Sequence, residues 1–247
     1  MASPAKSVNA RDPSGLRRFE DASAAQMTAA LDSAVGRIAD SLGENPSAGE
    51  IQAAVDREAS AFSAEMRSML TKQLTETYRR SSVRAAQLLE RAGLRVGGTF
   101  GPVGISPELR ERIELRALVN AESLAADLKA RATRSLLKSV EAGEGMRPAR
   151  KRLMEETGID KVSAERIVRT EIMSAYRDVN DEQFKRYGIE EEEWLAALDD
   201  RTCDECAGLH GKRFPLGQRP HVHGGTDINC RCILLPVIPE IGPSNRS

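Results

Sequence analysis

A mainly α protein is predicted, with an elongated helical N-terminal part and a small α+β C-terminal domain closed by a Cys/His knuckle. Three observations predict it. Aromatics make up 4% of the 247 residues and charged residues 30%, a profile that suits long amphipathic helices better than a sandwich. Apolar residues recur at helical spacing over most of the first 190 positions. All four cysteines and all three histidines (His210, His221 and His223) fall between Cys203 and Cys232.

Taken in order, residues 1–14 are small and polar, with Pro4 and Pro13, and read as a flexible arm. A first helix follows, with Leu16, Phe19, Met27, Leu31, Val35, Ile38 and Leu42 on its apolar side and Gly43 and Pro46 as its stop. Ser47 with Glu50 forms a capping box for a second helix. Its stripe runs from Ile51 through Phe62, Met66, Leu70, Leu74 and Tyr78 to Leu89. Unbroken, that helix would be about 60 Å long at 1.5 Å per residue, which implies an elongated shape or a partner. Residues 93–104 are a Gly-rich break. It lacks the Gly-Lys-Ser/Thr ending of a phosphate loop and reads as a connector.

Ser106-Pro107-Glu108 starts a third helix, whose stripe from Leu109 to Val140 ends at Gly143. A short helix is expected around Arg150–Glu156, and another from near Asp160 to Tyr187, closed by Gly188. Beyond Gly188 the character changes. Trp194–Leu198, Arg213-Phe214 and Cys232–Ile238 read as strands. The expected organisation is therefore an arm (1–14), a helical domain (15–157), a small α+β domain (158–238) and a tail (239–247). There is no internal repeat.

The net charge of −1 offers no global attraction for nucleic acid or an acidic membrane. No apolar run approaches the roughly 18 residues of a membrane span. The first residues lack the apolar core of a secretory signal. The expectation is a soluble protein made in a cytoplasm, where paired cysteines hold metal more often than they form disulfides.

Cys203-x-x-Cys206 is the usual first half of a structural zinc site, and Cys230-x-Cys232 supplies a second half. Either four cysteines, or three with His223 or His221, would fill a tetrahedral shell. A shell closed by protein groups makes the ion structural rather than catalytic. Zinc-finger peptides gain roughly 10–16 kcal/mol of apparent free energy from such an ion. Two disulfides, or free and partly buried thiols, are the competing readings. A redox CxxC lacks the βαβ context it needs, and a zinc deaminase lacks its upstream His-x-Glu. His210 reads as a turn or packing residue. Arg169 with Glu171 reads as a solvated face or an ion pair, and Asp199, Asp200 and Arg201 as shaping the turn before the knuckle.

From about 166 to 237, an ordered set of short pieces resembles the Mu F-like head-morphogenesis family, the minor head proteins of tailed bacteriophages. The pieces are Arg169-Thr170-Glu171, Tyr187-Gly188-Ile189, Trp194, Asp200 to Cys206, Leu209-His210-Gly211-Lys212 with Phe214, and Asn229-Cys230-Arg231-Cys232. The family usually has Pro and His almost directly before Asn-Cys-Arg-Cys. Here Pro220-His221-Val222-His223 is separated from Asn229 by an inserted segment, so either histidine could take the family position.

The resemblance implies a non-enzymatic structural role at the portal vertex, in few copies, in procapsid assembly and in DNA packaging or ejection. Portal, capsid and scaffold proteins, and DNA, are the implied partners, and the virion is the implied location after assembly in the host cytoplasm. Two other classes remain open. One is an enzyme, either a zinc-assisted hydrolase or an ADP-ribosyltransferase-like domain. The other is a nucleic-acid-binding knuckle that uses Lys212, Arg213, Arg219 and Arg231.

Overall fold

The computed structural model describes residues 12, 14–91, 93–94, 105–157, 161–222 and 227–238. The expected arm, Gly-rich connector and tail lie wholly or mostly outside these residues, and so does His223. The chain packs as two compact units, each assembled from separated stretches of sequence.

One unit comprises Asp21–Thr75 and Ile105–Glu165. It draws on helices α1 (Arg17–Asp40), α2 (Ala48–Arg91), α3 (Pro107–Glu141) and α4 (Met146–Thr157). The capping box at the start of α2 is made: the Ser47 N–H donates to Glu50 Oε2 at 2.8 Å, and the Glu50 N–H donates to Ser47 Oγ at 3.3 Å. Ser106 Oγ caps α3 by accepting from the Leu109 N–H, with Pro107 in the first turn. Gly143 closes α3 at φ 62°, with the Glu144 N–H on the Ser139 carbonyl and its own N–H on the Val140 carbonyl. That pairing needs a left-handed residue, which glycine supplies at no steric cost.

Helix α4 starts earlier than expected. Pro148 falls in its first turn, where a missing N–H costs nothing. From α4, the Arg150 guanidinium donates to the Ala39 carbonyl and pairs with Asp40, each at 2.9 Å, so it covers the C-terminal end of α1. The core takes most of the predicted stripes: Met27, Leu31 and Ile38 on α1; Ile51, Phe62 and Met66 on α2; Ala117, Ala121 and Leu136 on α3; Leu153 on α4 joins them, while Val140, expected on the α3 stripe, is exposed instead. Each of the larger side chains contributes about 1.5–3 kcal/mol by leaving water.

The other unit comprises Met1–Glu20, Glu76–Gly104 and Arg166–Ser247. It contains the later turns of α2, most of α5 (Lys161–Arg186), β1 (Glu191–Leu195), α6 (Asp204–Leu209), β2 (Arg213–Pro215) and β3 (Ile233–Val237). Tyr78 on α2 donates to Glu182 on α5 at 2.6 Å. Gly188, at φ 68°, ends α5 as predicted, with the Ile189 N–H on the Phe184 carbonyl.

The sheet has order β2-β1-β3, antiparallel throughout. The central strand corrects the expected Trp194–Leu198: it begins three residues earlier, inside a run of glutamates. Strand periodicity explains the difference. Glu192 and Trp194 share one buried face, and Glu192 hides its carboxyl beside Arg219 at 3.4 Å. Burial pushes the Glu192 carboxyl above its ordinary range despite that cation. Pro236 is tolerated in β3 because β3 is an edge strand. No helix among the described residues is long and apolar enough to cross a membrane.

Candidate metal centre

The knuckle hangs from the ends of β1 and β3. The chain leaves β1 through Ala196–Thr202, turns into α6, adds β2, and reaches β3 by way of Cys230 and Cys232. Cys203 is the N-cap of α6: its Sγ accepts from the Cys206 N–H at 3.3 Å. This short helix, rather than a bare turn, sets the spacing of the Cys-x-x-Cys pair.

Cys206, Cys230 and Cys232 are buried, and their sulfur atoms all lie within 4.8 Å of one another. Cys206 and Cys230 are 3.9 Å apart. A disulfide needs about 2.05 Å. Two thiolates on one tetrahedral zinc, each about 2.3 Å from the ion, stand about 3.8 Å apart. The donor set therefore fits a thiolate-bound metal. Cys203 is half-buried and lines the same cavity of about 140 Å³ as the other three cysteines. His221 is turned elsewhere: its side chain is 65% exposed, and its Nδ1 meets Asp227 Oδ2 at 2.9 Å. His210 accepts the Ala196 N–H on its Nδ1 at 3.2 Å, a turn-holding role.

The thiols do not share one acidity. A hydrogen bond from the Cys232 thiol, assisted by Arg177, holds Cys230 down at about 5 against the effect of burial. Cys206 is pushed up chiefly by burial, and Cys232 by its bond to Cys230 and by burial. Only Cys230 is held toward its thiolate by its neighbours; Cys206 and Cys232 would have to release their protons to bind a metal.

Charged side chains brace the loops from several sides. Asp199 holds Arg231 in a two-pronged pair, which draws the Asp199 carboxyl well below the usual range, and it also accepts the Arg201 N–H. Arg169 on α5 is buried. It pairs with Glu20 at 3.1 Å and donates to Asn229 Oδ1 at 2.9 Å. Next to it, Thr170 Oγ1 accepts the Asn229 N–H at 3.0 Å. Asn229 sits at φ 58° and Asp227 at φ 50°, a region that Asn and Asp tolerate better than most residues. Asp227 is also braced: the Val222 N–H donates to it at 2.8 Å, and Arg177 lies 3.4 Å away. An apolar wall of Trp194, Val222 and Leu234 completes the packing around the cysteines.

Sequence reasoning placed Arg169-Thr170 and Asn229-Cys230 among separate pieces and missed that the first clamps the second. The one available signal was an Asn directly before a ligand-type cysteine, a position suited to a left-handed backbone. The pairing of Asp199 with Arg231 carried no local signal.

Residues 130–235 match the family model described as Phage Mu protein F like protein. No curated protein and no solved structure matches the chain. The matched segment starts well before the expected 166 and takes in the end of α3, all of α4 and α5, and the knuckle through most of β3. Over residues 130–235, then, this chain resembles the Phage Mu protein F like family.

Proposed function

We propose that the chain is a bacteriophage head-morphogenesis protein of the minor-head type, a non-enzymatic assembly factor. It acts on capsid proteins, at the portal vertex, and is carried in the virion. The observation behind this reading is that the buried thiol cluster, with its Arg169–Asn229 and Asp199–Arg231 clamps, lies within the segment similar to the Mu F-like family.

In this reading the centre takes one structural zinc. Cys206, Cys230 and Cys232 hold it, and Cys203 or His223 fills the fourth position. The ion supplies folding free energy to a segment with few apolar side chains, and no reaction passes through it. The clamps fix the two cysteine pairs at the ends of β1 and β3, so the surface around them keeps one shape for a partner.

Quantifying the protein in purified proheads and virions tests the role. A few copies per particle are expected, and absence from both kinds of particle overturns it. Elemental analysis tests the ion: one zinc per chain is expected, and four titratable thiols without metal would remove it. A Cys203→Ser/Cys230→Ser variant should lower melting temperature and particle yield together.

A further inference from the structure

Helix α3 is apolar on two opposite faces. One is buried in the core described above. On the other, Leu115, Val119, Ala126, Ala130, Leu137 and Val140 are all exposed, with Leu115 at 59% and Val119 at 56%. At 100° per residue these six fall within an arc of about 80°, over a length of about 38 Å, interrupted by Glu122 at one edge and the half-buried Thr133. A surface helix ordinarily shows water a polar face there, and an apolar stripe of this extent marks an interaction surface.

The pattern of the stripe says what covers it. Its intervals are four, seven, four, seven and three residues, almost the same read from either end. In a two-fold antiparallel pair, residue i meets residue j while j meets i, so a self-complementary stripe must read alike in both directions. Here Leu115 would face Val140 of the other copy, Val119 would face Leu137, and Ala126 would face Ala130. The small residues fall at the centre, where two helices crossing closely need them.

The flanking charges agree. Each flank of an antiparallel pair meets the same flank of its mate. On one edge of the stripe, Glu122 lies about one helical turn from the level of the other copy's Lys129, where it offsets the approach of the two Lys129 side chains to each other; on the other, Arg112 lies within a turn of the other copy's Glu141. Lys129 now reaches Asp56 at 2.6 Å, with both side chains about half exposed, so exchanging that pair costs little.

We propose that this face of α3 is a homodimer interface in which two copies of the chain pair antiparallel through Leu115–Val140. The two stripes with their flanks cover on the order of 1,000 Å², the low end for a specific interface, so the dimer is reversible.

Sedimentation velocity of the full chain over a concentration series tests this. A monomer–dimer equilibrium is expected, weakened about tenfold or more by Val119→Glu, whose site is exposed, so the melting temperature measured where the chain is monomeric should stay unchanged. Glu122→Lys alone and Lys129→Glu alone should each weaken it, and the double exchange should restore it. Parallel pairing would set each flank against the opposite flank of the mate, where Glu122 does not meet Lys129, and would give no restoration. A chain that stays monomeric, or a dimer indifferent to Val119→Glu, overturns the proposal. So does a double exchange no better than the single ones. A monomer whose Val119→Glu form loses binding to a capsid or portal protein assigns the stripe to that partner instead.

Discussion

Phe62 and Met66 lie fully buried on one face of α2, at the spacing a helix needs to cover a core. Cys206, Cys230 and Cys232 are nearly as deeply buried, yet charged clamps brace their loops: Asp199 with Arg231, Arg169 with Glu20 and Asn229, Arg177 with Asp227. The helices are held by apolar area, which is non-directional and tolerates changes of shape. The knuckle is held by a few directional bonds, each of which fails when one partner is lost. The difference teaches where each region is vulnerable: the helices to lost volume, the knuckle to lost ligands and partners.

The largest test of that contrast is removal of the proposed zinc. The chain's single tryptophan, Trp194, packs on the cysteine cluster, so its fluorescence reports the knuckle while far-ultraviolet circular dichroism reports the helices. A chelator, or Cys230→Ser, should expose Trp194 and shift its emission to the red, with most of the helical signal retained. Equal loss of both signals would show that the two regions do not differ in this way. Phe62→Ala should act in the opposite sense. It should cost about 3–5 kcal/mol in the helical transition by leaving a cavity, without changing the metal content.

Arg169→Met should cost about 3 kcal/mol in urea unfolding, because Glu20 stays buried without its guanidinium. Adding Glu20→Met should recover much of that loss. If the double variant is as unstable as the single, packing rather than charge sets the value of this clamp.

Asp199→Asn is expected to cost about 1–2 kcal/mol, with a defined pH signature. Arg231 holds the folded-state carboxyl below its unfolded value, so the pair stabilises above about pH 4 and its contribution is lost as pH falls through the folded pKa. The variant and the parent should therefore differ at pH 7 and converge in acid. A constant gap across pH would assign the effect to the turn bonds of Asp199 instead. Ser106→Ala, the smallest of these effects, removes only the cap of α3 and should cost about 1 kcal/mol, read as a small fall in melting temperature.

Much of this molecule was legible locally. The Ser47–Glu50 box, the Ser106 cap, and Gly143 and Gly188 as helix ends depend on residues within a few positions of one another, and so does the pairing of Cys203 with Cys206. Period and capping are short-range physics, so the sequence by itself determined helices α1 to α5, the three strands in outline, and a candidate metal site, while α6 read as a turn. It could not determine that Glu192 is buried, because a run of glutamates reads as polar until β1 becomes the central strand and brings Arg219 beside it. Nor could it join Asp199 to Arg231, Arg169 to Asn229, or Arg177 to Asp227, since pairing across dozens of residues leaves no periodic trace. Which cysteines meet, how His221 turns to Asp227, and how each unit gathers its separated stretches were decided by tertiary structure, because only packing brings distant polar groups within bonding distance.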